Sequence, residues 1–195
     1  MIRHKPPIFL RILTIALATN FVVDTIGTIL VLRGKETNGI YNVYNLFTFE
    51  FYLVVLYFIL KSSRAKKVLF NVLVGFPILW FINLFFIQGF EEFQSITYSL
   101  GCLLVVSFSI YYFFELFQRP TSVRLVLEPA FWITSSLLFY YCCIFPIAGF
   151  LNIVGNLSER TINIYQAVIV VINVFTYSLF LIAFLCLMKI RKYTS

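Results

Sequence analysis

The sequence contains a single histidine, His4, among its 195 residues. His4 precedes the first long apolar segment, so none of these segments contains a histidine. Rhomboid-type serine proteases, HExxH metalloproteases, membrane phosphatases and the known membrane acyltransferases all use histidine as a base or as a metal ligand. The sequence therefore excludes these enzyme classes, and we expect no catalytic site, no metal site and no cofactor.

Charged residues are also scarce, at 12% of the chain, whereas apolar residues make up 61% and the mean hydropathy is +0.94. A water-soluble domain usually has about 25% charged residues, and a disordered chain is still more polar. The four cysteines all fall inside apolar segments, which excludes a secreted disulfide scaffold. The composition is that of an integral membrane protein.

Six apolar stretches have about the length needed to cross a hydrocarbon layer of about 30 Å as helices. They are residues 8–32, 43–60, 68–88, 96–117, 131–153 and 164–188. Consecutive apolar residues, as at 103–106, exclude the alternating pattern of barrel strands. The segments outside them are short, so the chain is predicted to be an all-α membrane protein: one transmembrane domain over residues 1–195 that forms a six-helix bundle.

The basic residues are distributed unequally between the two sides of the predicted bundle. Twelve of the fifteen Lys and Arg residues fall on the side of the N-terminus, and only Arg33, Lys35 and Arg160 fall on the other. The positive-inside rule therefore predicts that both termini are cytoplasmic. The basic residues are split among four short segments, which favours contact with anionic lipid headgroups over nucleic-acid binding.

The first stretch begins like a signal peptide, with basic residues followed by apolar ones. Arg11 interrupts the apolar core that a signal peptide needs, and the apolar character continues to Leu32. We interpret this stretch as a retained span.

Two acidic residues, Asp24 and Glu50, fall inside predicted spans, and both belong to the external half. Ionisable side chains are costly in lipid and commonly mark functional positions. Uncharged polar residues fall in the same half of other spans; the main ones are Asn20, Asn45, Asn83, Tyr98 and Gln166, with Asn152 and Tyr165. We expect a polar, aromatic-lined cavity that opens to the external side and that both acidic residues face.

The first span places Asn20, Asp24, Gly27 and Thr28 on one helix face, because their spacings are three or four residues. The alternative is structural, since Asn, Gln and Tyr side chains also join membrane helices by hydrogen bonds. For the uncharged residues this structural role is the favoured interpretation, while for Asp24 and Glu50 both interpretations stand.

Three groups of residues carry a resemblance to known sequences. They are Tyr44-Asn45-Leu46-Phe47 through Glu50-Phe51-Tyr52, then Phe81-Ile82-Asn83-Leu84-Phe85-Phe86 with Phe93, Thr97 and Tyr111-Tyr112-Phe113-Phe114-Glu115-Leu116, and finally Pro129-Ala130-Phe131-Trp132-Ile133. Over roughly residues 40–140 the chain resembles a group of small multi-pass inner-membrane proteins of Bacteroidota. The resemblance implies a bacterial inner membrane but no activity or ligand. It makes Glu50, Asn83, Glu115 and Trp132 the first residues to mutate.

Three functional hypotheses remain. The leading one is a non-enzymatic receptor or accessory subunit that binds a small or lipidic ligand in the external cavity and acts through a protein partner or as a homo-oligomer. The second is a proton- or cation-coupled transporter, or an oligomeric channel, that uses Asp24 and Glu50. The third is a lipid-modifying enzyme that uses carboxylates alone.

Overall fold

The computed structural model describes residues 6–118, 125–153 and 159–194, with side chains described there except at 148–153, 159–163, 165 and 189–194. Six long helices make up most of this part of the chain. They are α1 (Ile8–Leu32), α2 (Asn38–Ile59), α3 (Ser63–Phe86), α4 (Ser95–Phe117), α5 (Pro129–Ile153) and α6 (Glu159–Thr194), with a short 3-10 helix at Leu125–Leu127.

In the described residues there is no strand, and six helices are long and apolar enough to cross a membrane. The prediction of an all-helical chain with six candidate spans is therefore confirmed. The reason is elementary: about twenty apolar residues cannot leave their backbone groups unpaired in lipid, and a helix pairs them within one segment.

The helices extend beyond several of the predicted spans. For example, α2 begins at Asn38, before the predicted span at 43–60, and α3 begins at Ser63, before 68–88. The spans were counted from apolar residues alone, whereas a helix continues through polar residues as well. At the start of α3, Ser62 caps the helix, because its Oγ accepts a hydrogen bond from the Ala65 N–H at 3.4 Å.

Some of the basic residues behind the predicted orientation lie outside the described residues. They are Arg3, Lys5, Arg119 and Arg124, together with the side chains of Arg160, Lys189, Arg191 and Lys192.

The chain divides into two compact units, and the division falls within α4, after Gly101. In the first unit, Pro7–Gly101, α1 packs along α2 and α2 packs on α3. The α1–α2 contact includes a hydrogen bond from Asn20 Nδ2 to the Tyr52 hydroxyl at 3.3 Å. Gly27 of α1 lies against the Tyr41 ring, where a Cβ atom would collide with the Tyr41 hydroxyl.

The second unit, which contains Cys102–Ser195, is built on α5 packed along α6, with the 3-10 helix against both. Ser136 Oγ donates a hydrogen bond to the Thr176 carbonyl at 2.9 Å, which joins α5 to α6. The Val126 carbonyl of the 3-10 helix accepts two hydrogen bonds, from Trp132 Nε1 at 3.0 Å and from Cys186 Sγ at 3.2 Å. These bonds hold the 3-10 helix on the α5–α6 pair.

Candidate functional site

Asn42, in the first turns of α2, holds the connection between α3 and α4. Its Nδ2 donates hydrogen bonds to the carbonyls of Phe90 at 3.1 Å and Glu92 at 2.7 Å. Its Oδ1 accepts a hydrogen bond from the Gln94 N–H at 3.1 Å. Asn42 is fully buried, so these bonds supply partners that three backbone groups of the connection would otherwise obtain only from water.

Gln88 and Asn83 bind the two ends of the same connection to each other. Asn83 Nδ2 donates to Gln88 Oε1 at 2.9 Å, and Gln88 Nε2 donates to Ser95 Oγ at 2.8 Å. Gln88 Oε1 also accepts from the Ile96 N–H at 3.1 Å. Because the first N–H groups of a helix have no partner inside it, Gln88 completes the start of α4 from outside the helix.

We call Asn42, Asn83, Gln88 and Gln94 the amide cluster. One of its atoms, Asn83 Oδ1, is buried and has no hydrogen-bond partner among the described residues. Asn83 Nδ2 also lies 3.4 Å from Thr97 Oγ1, and Thr97 itself donates to the Gln94 carbonyl at 3.2 Å. The cluster is thus nearly satisfied internally and keeps one buried acceptor for a further donor.

A small recess lies beside the amide cluster, between α2, α3 and the start of α4. Its lining combines aromatic rings with amide and hydroxyl groups: Asn42, Asn45, Leu46, Phe49, Phe76, Trp80, Gln94, Thr97 and Tyr98. It is partly open to the surface and leaves room for about one water molecule. In this conformation the recess is far smaller than the pockets of about 300–1,000 Å³ that hold drug-sized ligands.

Phe49 is the centre of the aromatic wall. Its ring meets Phe76 edge-on at 5.7 Å between centroids and Tyr98 edge-on at 5.4 Å, and it is 2% exposed. This packing requires Gly101, because a Cβ atom at that position would come within 2.6 Å of the Phe49 ring. A second glycine, Gly89, turns the chain after α3 with a φ of 78°, a conformation that other residues rarely adopt.

Three of the residues that the sequence singled out come together here. Asn45 and Tyr98 line the recess, and Asn83 belongs to the amide cluster. Neither Asp24, Glu50 nor Asn20 is among the lining residues.

The predicted polar face of α1 is divided in the structure. Asn20 and Gly27 are buried against α2, whereas Asp24 and Thr28 are exposed. At about 100° per residue, positions 20 and 27 nearly align, while position 24 is turned about 40° to one side and position 28 about 80°. The four residues therefore stay within an arc of about 100° on one side of α1, and only the two at the α2-facing edge of that arc, Asn20 and Gly27, are buried.

Glu50 is half-buried on α2. Its Oε1 atom is inaccessible and has no hydrogen-bond partner within the described ranges. Gln166 lies in the second unit and is exposed on α6. The side chains of Asn152 and Tyr165, which the sequence also assigned to the cavity, lie outside the described residues.

Two central residues, Asn42 and Gln94, were missed as site residues by sequence reasoning. Asn42 bonds mainly to backbone carbonyls, and such bonds put no constraint on which side chains follow in the connection. The available signal was the concentration of amides in two segments that the predicted topology places on the same side: Asn38 and Asn42 at the start of α2, and Gln88 and Gln94 in the connection between α3 and α4.

The amide cluster and the recess offer hydrogen-bonding groups and apolar rings side by side. The amide cluster and the recess contain neutral amides, hydroxyls and aromatic rings, none of which is a general base at neutral pH. Within the part of the chain that the structure describes, no three His, Cys, Asp or Glu side chains are placed to hold a metal ion.

Comparisons with known proteins add no further assignment. No protein-family profile matches the chain, and neither a curated protein nor a solved structure matches it.

Proposed function

We propose that the protein is a multi-pass receptor of a bacterial inner membrane that binds a small or lipidic ligand at the recess and acts through a protein partner. In this proposal the helix ends around the amide cluster face the external side, and the basic α2–α3 connection faces the cytoplasm. The distribution of Lys and Arg supports this orientation.

The single observation that carries the proposal is the recess itself, with aromatic walls and the neighbouring buried acceptor Asn83 Oδ1. Rings provide apolar contact, and the adjacent amides and hydroxyls provide directional hydrogen bonds, which is the usual composition of a ligand pocket. The groups of this lining match the chemistry of an amphiphile with an apolar body and one polar group.

A ligand larger than a water molecule requires the connection at 87–94 to move. Asn42 and Gln88 hold this connection mainly by individual hydrogen bonds, each worth about 1 kcal/mol net. Ligand contacts can offset the loss of one or two such bonds. In the proposed receptor, ligand binding therefore rearranges the α3–α4 connection, and this change is what a partner protein would read.

Trp80 provides a direct test, because it lines the recess and Trp132 is the only other tryptophan. In a Trp132→Phe background in lipid nanodiscs, dibromostearic acid should quench Trp80 fluorescence saturably. Leu46→Phe, which fills the recess, should weaken the apparent affinity for this probe about tenfold, which corresponds to about 1.4 kcal/mol of binding free energy. Ile78→Phe on the exposed side of α3 should leave it unchanged.

Quenching that rises linearly without saturation, or equally in the Leu46→Phe variant, would show that the probe only dissolves in the bilayer. The receptor proposal would then be wrong.

The second candidate is a proton- or cation-coupled transporter, and the buried Glu50 Oε1 without a partner among the described residues is the observation that favours it. A carboxyl group in that position is suited to taking up and releasing a proton. Proton flux across proteoliposomes that disappears in an Asp24→Asn, Glu50→Gln double variant would support transport in place of the receptor.

A further inference from the structure

The face of α1 that points away from α2 is largely uncovered. In the most apolar stretch of α1 only 11% of the residues are buried, compared with 44% in the corresponding stretch of α2. Large side chains on this face are open to the surroundings, for example Phe21, which is 75% exposed. An uncovered apolar face is expected for a helix in contact with lipid, so the polar groups on it decide whether lipid is its only neighbour.

The hydroxyl groups on this face are satisfied within the helix itself. Thr25 Oγ1 donates to the Phe21 carbonyl at 2.7 Å, and Thr28 Oγ1 donates to the Asp24 carbonyl at 2.8 Å. Such bonds let threonine face lipid at little cost. These threonines therefore do not by themselves indicate a partner.

Asp24 differs from the threonines. Its carboxyl group is exposed, and it makes no hydrogen bond with any residue that the structure describes. Tyr41 of α2 is close enough to interact with it electrostatically, but no hydrogen bond joins the two side chains in the described structure. The one acidic side chain of α1 is thus exposed at the edge of the α1–α2 contact, without a hydrogen bond to its carboxyl group from any described residue.

The depth of Asp24 makes this position costly in lipid. It lies about 12 Å along the axis from Leu32, the last residue of α1, at a rise of about 1.5 Å per residue. With 25 residues, α1 is about 37 Å long, longer than the hydrocarbon layer of about 30 Å. In the membrane orientation proposed above, on which this inference rests, Asp24 is inside the hydrocarbon. A carboxyl group there needs a hydrogen-bonding neighbour.

We propose that this neighbour is Asp24 of a second copy of the same chain, in a parallel dimer formed through α1. Two copies inserted in the same orientation bring Asp24 to the same depth on both sides of a twofold axis, where a residue meets its own equivalent. A neutral carboxylic acid carries one O–H donor and one carbonyl acceptor, so two such groups satisfy each other.

Disulfide crosslinking of the full chain in membranes tests this dimer. In a Cys142→Ser, Cys143→Ser background, Thr28→Cys should form a covalent dimer on oxidation, because position 28 lies one turn from Asp24. Ile78→Cys, on the exposed side of α3, is the matched control and should stay monomeric.

Substitutions of Asp24 identify the contact. Asp24→Asn keeps a donor and an acceptor and should preserve crosslinking through Thr28→Cys. Asp24→Leu should lower the dimerisation constant in nanodiscs or proteoliposomes about tenfold, as expected for the loss of an interhelical hydrogen bond. Because Asp24 is exposed, neither change is expected to prevent folding, and retention in alkali-washed membranes checks insertion.

Three results would overturn the dimer. These are unchanged crosslinking with Asp24→Leu, a monomer at every protein-to-lipid ratio, or an adduct in cells whose mass shows that the partner is a different chain. None of these measurements uses a ligand. The dimer can therefore fail while Trp80 still reports binding, and the receptor can fail while the dimer stands.

Discussion

The two compact units satisfy their polar groups in different ways. In Pro7–Gly101, buried amide side chains complete the backbone of the α3–α4 connection, and Asn42 alone makes three such bonds. In Cys102–Ser195, the Val126 carbonyl accepts two hydrogen bonds. The hydroxyl oxygens of Thr134 and Thr176, by contrast, are buried with no hydrogen-bond partner among the described residues.

This difference separates two roles of buried polar residues in an apolar chain. Amides in the first unit specify where one connection lies, because a loop backbone has many groups that need partners. An isolated buried hydroxyl in the second unit costs free energy when it has no partner, and without a partner it does not specify the position of another segment. The amide cluster is therefore where substitutions should have the largest effects.

The largest effect is expected for Asn42→Leu. The replacement has a similar size but removes three hydrogen bonds and leaves two carbonyls and one N–H of the connection without partners. We expect the free energy of unfolding to fall by about 2–4 kcal/mol. Unfolding in mixed micelles, followed by circular dichroism, measures it.

Asn38→Ala is the control for this change. Asn38 is exposed and makes one hydrogen bond, to the Glu91 carbonyl at 3.0 Å, so its loss should cost less than about 1 kcal/mol. Equal losses for the two variants would contradict the specifying role of Asn42.

An intermediate effect is expected for Gly101→Ala. The added methyl group would press on the Phe49 ring, which is buried between two other rings and cannot easily turn away. Overpacking of this kind typically costs about 1–3 kcal/mol. The same unfolding measurement applies, and near-ultraviolet circular dichroism should report the displaced rings.

Gly75→Ala in α3 is the matched glycine, because nothing lies within 4 Å of a Cβ atom at that position. Alanine is the better helix former, so this variant should gain about 0.5–1 kcal/mol. A gain at Gly101 equal to that at Gly75 would show that helix propensity and not ring packing decides the outcome. An equal loss at both positions would show that the cost at Gly101 is not specific to the Phe49 contact.

The smallest effect, and of opposite sign, is expected in the second unit for Thr134→Val. The change removes a buried hydroxyl that has no partner among the described residues, so stability should stay level or rise by up to about 1 kcal/mol. Ser136→Ala is its control, since it breaks the bond to the Thr176 carbonyl and should cost about 1 kcal/mol. If both variants lose the same amount, a bound water satisfies Thr134 and the contrast between the units disappears.

The helices were predictable because length and apolar content act locally. A stretch such as Ile8–Leu32 has few alternatives to a helix, and the predicted span agrees with α1 at both ends. The starts of α2 and α3 were less predictable, because polar residues such as Asn38 and Lys66 belong to the helices without contributing to the apolar count.

The candidate site was predictable only in part. Asn83 and Tyr98 were recognised as polar residues in the correct region, but no rule of spacing indicates that Asn83 bonds to Gln88 or that Tyr98 packs on Phe49. Asn20 and Asp24 have similar sequence contexts and different surroundings. Asn20 is buried and bonds to the Tyr52 hydroxyl, whereas Asp24 is exposed. The rotation of α1 against α2 decides between them, and that rotation depends on contacts between helices.

The order of the residues alone determined that this chain is helical and apolar enough to cross a membrane, because these properties follow from composition over about twenty neighbouring residues at a time. The tertiary structure decided which polar groups form hydrogen bonds inside the protein and which do not. Asn42 bonds to a distant backbone segment, while the Asp24 carboxyl group and Asn83 Oδ1 have no hydrogen-bond partner among the described residues. A hydrogen bond depends on distances and angles between segments far apart in the chain, and only packing sets these.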